Sequence, residues 1–108
     1  MKVSKISQTN FSAGSIYLKN IDTNKVKCCD AIKKMAEDRN IDIYIIKRHD
    51  LYYLPTHDLY TIIGNKLGIK HSTNCELVNH KTSPGELSVR IYNAAVNTME
   101  YIEKNLLK

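Results

Sequence analysis

The 108-residue sequence predicts an α+β domain: a short N-terminal strand, a helix, a β-hairpin, two short helices and a long C-terminal helix. Three observations predict it. The stretch "IDIYII" at 41–46 is dense in β-branched and aromatic residues, which suit a pleated, half-buried strand. "SPGE" at 83–86 is a helix start, with Ser83 to cap, Pro84 at the first helical position and Glu86 at the capping-box position. Beyond it, Leu87, Ile91, Ala94, Ala95, Thr98, Ile102 and Leu106 recur at helical spacing.

Residues 1–14, rich in Ser, Asn and Gln, read as a flexible arm of a single domain spanning 1–108. "SIYLKNI" then sends Ile16, Leu18 and Ile21 inward and predicts a strand near 15–20. Asp22 or Thr23 can cap a helix running to about Asp38, whose stripe is Val26, Cys29, Ile32, Met35 and Ala36. Lys25, Lys27, Lys33 and Lys34 fall largely off that stripe. After "IDIYII", the polar "KRHD" and then "LYYL" at 51–54 complete a hairpin that Pro55 ends. Thr56 can cap a helix over 57–67 that buries Leu59, Ile62, Ile63 and Leu67, and Gly68 supplies its left-handed stop. A second short helix over 72–80 offers Cys75, Leu77 and Val78 to the core. The last helix, from Pro84 to about Leu107, carries a second apolar stripe of Tyr92, Val96 and Met99, so it serves as the spine of the fold or as half of a homodimer seam.

At 43% apolar and 25% charged residues the composition is that of a globular domain. No apolar run approaches the roughly 20 residues that span a bilayer, and the first residues lack a secretory h-region. The expected location is the cytoplasm, the alternative being export without a cleavable signal peptide. Three cysteines, Cys28, Cys29 and Cys75, make an odd count that points to reduced thiols used in packing. The net charge of +5 belongs mainly to the first third, where residues 1–40 hold eight Lys/Arg against four Asp/Glu.

Within 57–80, "IIGNKLGIKHSTNCEL" resembles the helix-turn-helix superfamily. Small Gly64 sits where the first helix is crossed, Leu67 and Ile69 flank the turn glycine Gly68, and "HST" is similar to the start of a recognition helix. Asn74 departs from the apolar anchor usual in the second helix. The resemblance implies a small DNA-binding regulator of the phage, viral or bacterial kind. Lys66, Lys70, His71, Ser72 and Thr73 would meet duplex DNA, while Lys25, Lys27 and the Lys47–Arg48 turn would grip phosphates. A second reading is a protein-interaction module, of effector or inhibitor type, that docks through a hairpin surface bearing Tyr44, Tyr52, Tyr53 and Tyr60.

Neither reading involves catalysis, a cofactor or a metal. His71, Cys75 and His80 lie four and five residues apart, but no C-x-x-C or H-E-x-x-H accompanies them. The four glycines form no phosphate-binding loop, and no spacing sets a cysteine beside a base.

Overall fold

A computed structural model describes residues 14–48, 55–78 and 80–106. The elements run β1 (Ile16–Lys19), α1 (Cys29–Arg39), β2 (Asp42–Lys47), β3 (His57–Lys66), β4 (Ile69–Val78) and α2 (Pro84–Leu106). The strands make one mixed sheet in the order β1-β2-β3-β4, with β1 parallel to β2 and the other neighbours antiparallel. Both helices lie on one face. Ile43 and Ile45 of β2, Tyr60 and Ile62 of β3 and Leu77 of β4 point toward them and close over Ile32, Ala36, Ile91, Ala95, Met99 and Ile102. The other face carries Tyr17, Tyr44, Ile46, Ile63, Lys70, Ser72, Asn74 and Glu76, since side chains alternate along a strand.

This order overturns the expected one. The two short helices at 57–67 and 72–80 are the strands of a β-hairpin, and the described residues contain two helices rather than four. Leu59, Ile62 and Ile63 do fit a helical stripe. Ile62 and Ile63 also belong to a run, Tyr60–Ile63, in which four consecutive residues prefer the extended backbone, and pairing with β2 on one side and β4 on the other satisfies that preference. Gly68 does take a positive φ, of 85°, but as half of a two-residue turn whose other member, Leu67, has φ 53°. Two successive left-handed residues make the type I′ turn, whose twist matches that of a hairpin. The antiparallel partner of β2 is β3, and the expected second strand at 51–54 lies outside the described residues, as does the arm up to residue 13.

Helix α1 begins five or six residues later than Thr23 or Asp22 would start it. Asp22 instead closes a turn, its carboxylate accepting the Asn24 N–H at 2.9 Å and its carbonyl accepting the N–H groups of Lys25 and Val26. Lys25 and Lys27 therefore sit on a loop. The helix stops at Asn40, whose φ of 55° turns its N–H back onto the carbonyls of Ala36 and Glu37. Lys66 Nζ donates to the Arg39 carbonyl at 2.8 Å, placing a cation at the negative end of α1.

Helix α2 starts as its sequence directs, with Glu86 N–H donating to Ser83 Oγ at 3.1 Å. It crosses the sheet where Gly64 leaves room. A Cβ on Gly64 would lie 2.6 Å from Ile102 Cδ1 and 2.8 Å from Thr98 Cγ2. Thr98 has little freedom to yield, because its hydroxyl donates to the Ala94 carbonyl at 2.7 Å and accepts from Thr73 at 2.8 Å across the helix–strand gap.

Two stability changes follow. Gly64→Ala lowers stability by about 1–3 kcal/mol through overpacking, read as a lower urea midpoint with an unchanged slope. Leu67→Asn raises it by about 0.5–1 kcal/mol, because Leu67 is 58% exposed and gives up little burial while Asn tolerates the left-handed backbone.

Candidate functional site

The carboxyl ends of β1 and β2, the start of β3, the end of β4 and the N-terminus of α2 all meet at one end of the sheet, and a pocket of about 440 Å³ opens between them. Its floor is apolar: Val26, Tyr60, Leu77 and Leu87, each under 10% exposed. Its rim is polar and carries Asn20, Asp22, Lys25, Lys47, Asp58 and Thr82. The volume falls within the roughly 300–1,000 Å³ typical of small-molecule sites, and an apolar floor with a few convergent polar groups is their usual chemistry.

Each rim group is held by local structure. Asn20 leaves β1 with φ 60° and donates from Nδ2 to the Lys47 carbonyl at 3.3 Å, tying the ends of the two parallel strands together. The loop carrying Asp22 and Lys25 is fastened to α2 by Ser88, whose hydroxyl accepts the Lys27 N–H at 2.9 Å and donates to the Lys25 carbonyl at 3.3 Å. Thr82 Oγ1 donates to the Val78 carbonyl at 2.7 Å and fixes the turn into α2. Lys47 Nζ lies 3.8 Å from Asp58 Oδ1, a loose pair at the rim. Lys25 has no ion-pair partner among the described residues. Tyr60 is 6% exposed; burial, then the nearby carboxylates of Asp58 and Asp22, raise its phenol above its ordinary range, so it stays a neutral hydroxyl at the pocket floor. Two carboxylates and two ammonium groups thus surround an apolar floor.

The residues expected to meet duplex DNA do not share one surface. Lys25 and Lys47 come together at the pocket. Lys70 and Ser72 are exposed on the face away from the helices. His71 and Thr73 point the other way, His71 stacking on Tyr101 with ring centroids 3.9 Å apart and Thr73 bonded to Thr98. Lys66 caps α1 at the far end, Lys27 is exposed on the fastened loop, and Arg48 Nη1 donates to Thr61 Oγ1 at 3.3 Å. The expected tyrosine surface divides as well. Tyr44 stacks on Tyr17 on the face away from α1 and α2, with centroids 4.6 Å apart, whereas Tyr60 lies beneath the pocket; Tyr52 and Tyr53 lie outside the described residues. Asn20, Thr82 and Leu77 carried no linear signal for a site, because they meet only through the order of the strands.

No family model matches the chain, and no curated protein or solved structure matches it either. Among the described residues no three His, Cys, Asp or Glu side chains converge as a metal site would need, and no helix is long and apolar enough to cross a membrane.

The cysteines are half-buried and unpaired. Burial, reinforced by neighbouring Cys29, pushes the Cys28 thiol up to about 11, and burial raises Cys29 and Cys75 as well, so all three remain protonated and weakly nucleophilic near neutrality. The raised Cys28 value has a direction in pH. The folded chain holds this proton more tightly than the unfolded one, so the stabilisation is complete below the ordinary value of 9.0 and is lost as pH rises toward about 11. Thermal melts at pH 8 and 10.5 should therefore show a smaller alkaline loss for Cys28→Ala than for the unaltered chain.

Proposed function

We propose that the protein is a non-catalytic binding protein whose pocket takes a small zwitterion of amino-acid or dipeptide size. The observation that carries the reading is the rim of Asp22, Asp58, Lys25 and Lys47 around the apolar floor of Val26, Tyr60, Leu77 and Leu87. An apolar ligand body would displace water from that floor. Its carboxylate would be met by Lys25 and by the positive end of α2, which reaches the pocket at Pro84. Its ammonium would be met by Asp22, whose carboxylate is otherwise engaged by one backbone N–H. The Lys47–Asp58 pair can reorganise around either group at small cost, because an ion pair at 3.8 Å that is partly open to water is weakly held. Three unpaired thiols fit a reducing setting such as the cytoplasm.

A second reading, docking of a partner protein, is supported by the Tyr17–Tyr44 stack, in which Tyr17 is 45% exposed on the face away from α1 and α2.

Thermal shift against free amino acids and dipeptides tests the first reading. A ligand at about 100 times its Kd adds about 2.7 kcal/mol, a rise of roughly 10 °C or more in a domain of this size. Lys25→Ala and Asp22→Asn, both on exposed positions, should each reduce the rise, while Tyr17→Ala should leave it intact. No rise at about 10 mM ligand, or one indifferent to both rim variants, would remove the pocket from the function. Titration with random duplex DNA at about 50 and 200 mM salt supplies the contrasting outcome, since binding that falls steeply with salt would assign the basic surplus to phosphate contacts.

A further inference from the structure

The sheet has two edges of different character. β1 is four residues long, whereas β4 runs for ten residues, and its pairing with β3 continues without a break from His57↔Val78 to Lys66↔Ile69. Among the described residues β4 pairs with β3 alone. The direction of its outer groups can be derived. The Arg48 N–H donates to the Leu59 carbonyl at 2.8 Å, so the backbone groups of Leu59, Thr61 and Ile63 point toward β2 and those of Tyr60, Ile62 and Gly64 toward β4. Their partners Cys75, Thr73 and His71 therefore bond inward, leaving the N–H and C=O groups of Lys70, Ser72, Asn74 and Glu76 facing outward. Arg90 Nη2, at 3.4 Å from the Glu76 carbonyl, reaches that outer side. The side chains of all four residues are exposed.

Protein edges are ordinarily blunted by brevity, bulges, proline or charged side chains, lysine above all. β4 is long, unbroken and free of proline, and its outward row carries one charge of each sign, symmetrically placed: Lys70 three residues before Thr73 and Glu76 three residues after it. We propose that the chain forms a two-fold dimer in which β4 pairs antiparallel with β4 of a second copy, centred on Thr73, to give one continuous eight-stranded sheet. That register sets Lys70 opposite Glu76 of the second copy, twice by symmetry, and Ser72 opposite Asn74, with outward groups facing outward groups throughout. Moving the centre to Ser72 or Asn74 keeps the hydrogen bonding but faces neither charge with its opposite. On the helix side, Thr73 meets its own copy and His71 meets Cys75. These residues and Ile69 are only half-buried although α2 lies over them, and Tyr101, stacked on His71, is still 48% exposed. A second copy completes their cover. The charges also exclude strangers, since a strand without an acid opposite Lys70 and a base opposite Glu76 leaves both unmatched.

Sedimentation of the full chain from about 5 to 500 µM tests the proposal, and a dimer is expected within that range. Lys70→Glu alone and Glu76→Lys alone each turn two attractive cross-strand pairs into repulsive ones and should weaken the dimer about tenfold or more. The double variant Lys70→Glu/Glu76→Lys should restore it. Ser72→Pro removes an outward N–H that serves no bond among the described residues and should abolish the dimer without a change of charge. A monomer at every concentration would overturn the proposal, as would a dimer indifferent to the single reversals or a double variant as weak as the singles. The charge series keeps the test decisive even if the proline variant fails to fold.

Discussion

The close approach of α2 to the sheet at Gly64 is the constraint on which the rest of the structure depends. With no side chain at that position, Thr98 and Ile102 settle directly over β3, and Thr98 reaches Thr73 of β4. Seated there, α2 brings Ile91, Ala95, Met99 and Ile102 onto Ile43, Ile45 and Ile62, so the main apolar burial of the domain is a consequence of that contact. The same seating puts Ser88 beside the loop after β1 and the N-terminus of α2 at the end of the sheet where the parallel strands finish. The pocket is thus a by-product of how tightly a helix can lie on a strand.

How far the fold was legible depended on whether the deciding interaction was local. The start of α2 is written in four adjacent residues, and Ser83 caps it as that chemistry requires. The segment 57–78 is decided elsewhere. Its apolar residues satisfy a helical spacing and an alternating one, and β3 is a strand because it has neighbours on both sides, one of them contributed from across the chain. Leu67 deepened the ambiguity: a leucine at a left-handed position is uncommon, so "KLGI" lacked the Asn-Gly or Asp-Gly signature by which such hairpins are recognised. Glycine at 68 was rightly a left-handed residue, and its local role could not distinguish a helix end from a hairpin tip.

The site was less legible than the elements. Lys25, Lys47 and Tyr60 each stood out in the sequence, as a helix-face cation, a turn cation and a member of a tyrosine cluster, and none of those reasons would have grouped them. They converge because the β1–α1–β2 crossover returns the chain parallel to itself, setting the ends of β1 and β2 side by side. Asn20 then joins those ends through the Lys47 carbonyl. A resemblance carried by about twenty residues of apolar and glycine spacing held no information about that return.

The basic balance of the chain has to be read against where the charges fall. The excess of +5 suggests a polyanion partner when the sequence is summed, yet the two surfaces proposed for recognition each carry as many cations as carboxylates. The pocket rim has two lysines and two aspartates, and the outward row of β4 has one lysine and one glutamate placed symmetrically about Thr73. Summed over residues 20–39, five Lys and Arg stand against four Asp and Glu, so α1 and its preceding loop are themselves nearly balanced although Lys27, Lys33 and Lys34 are exposed. In both proposals recognition rests on the spacing of opposite charges over apolar or backbone surfaces. A substitution that left the net charge unchanged but exchanged the members of one pair would alter binding more than one that removed a lysine from α1, because a paired arrangement selects its partner by geometry whereas a diffuse field of the same size is screened within about 10 Å in ordinary salt.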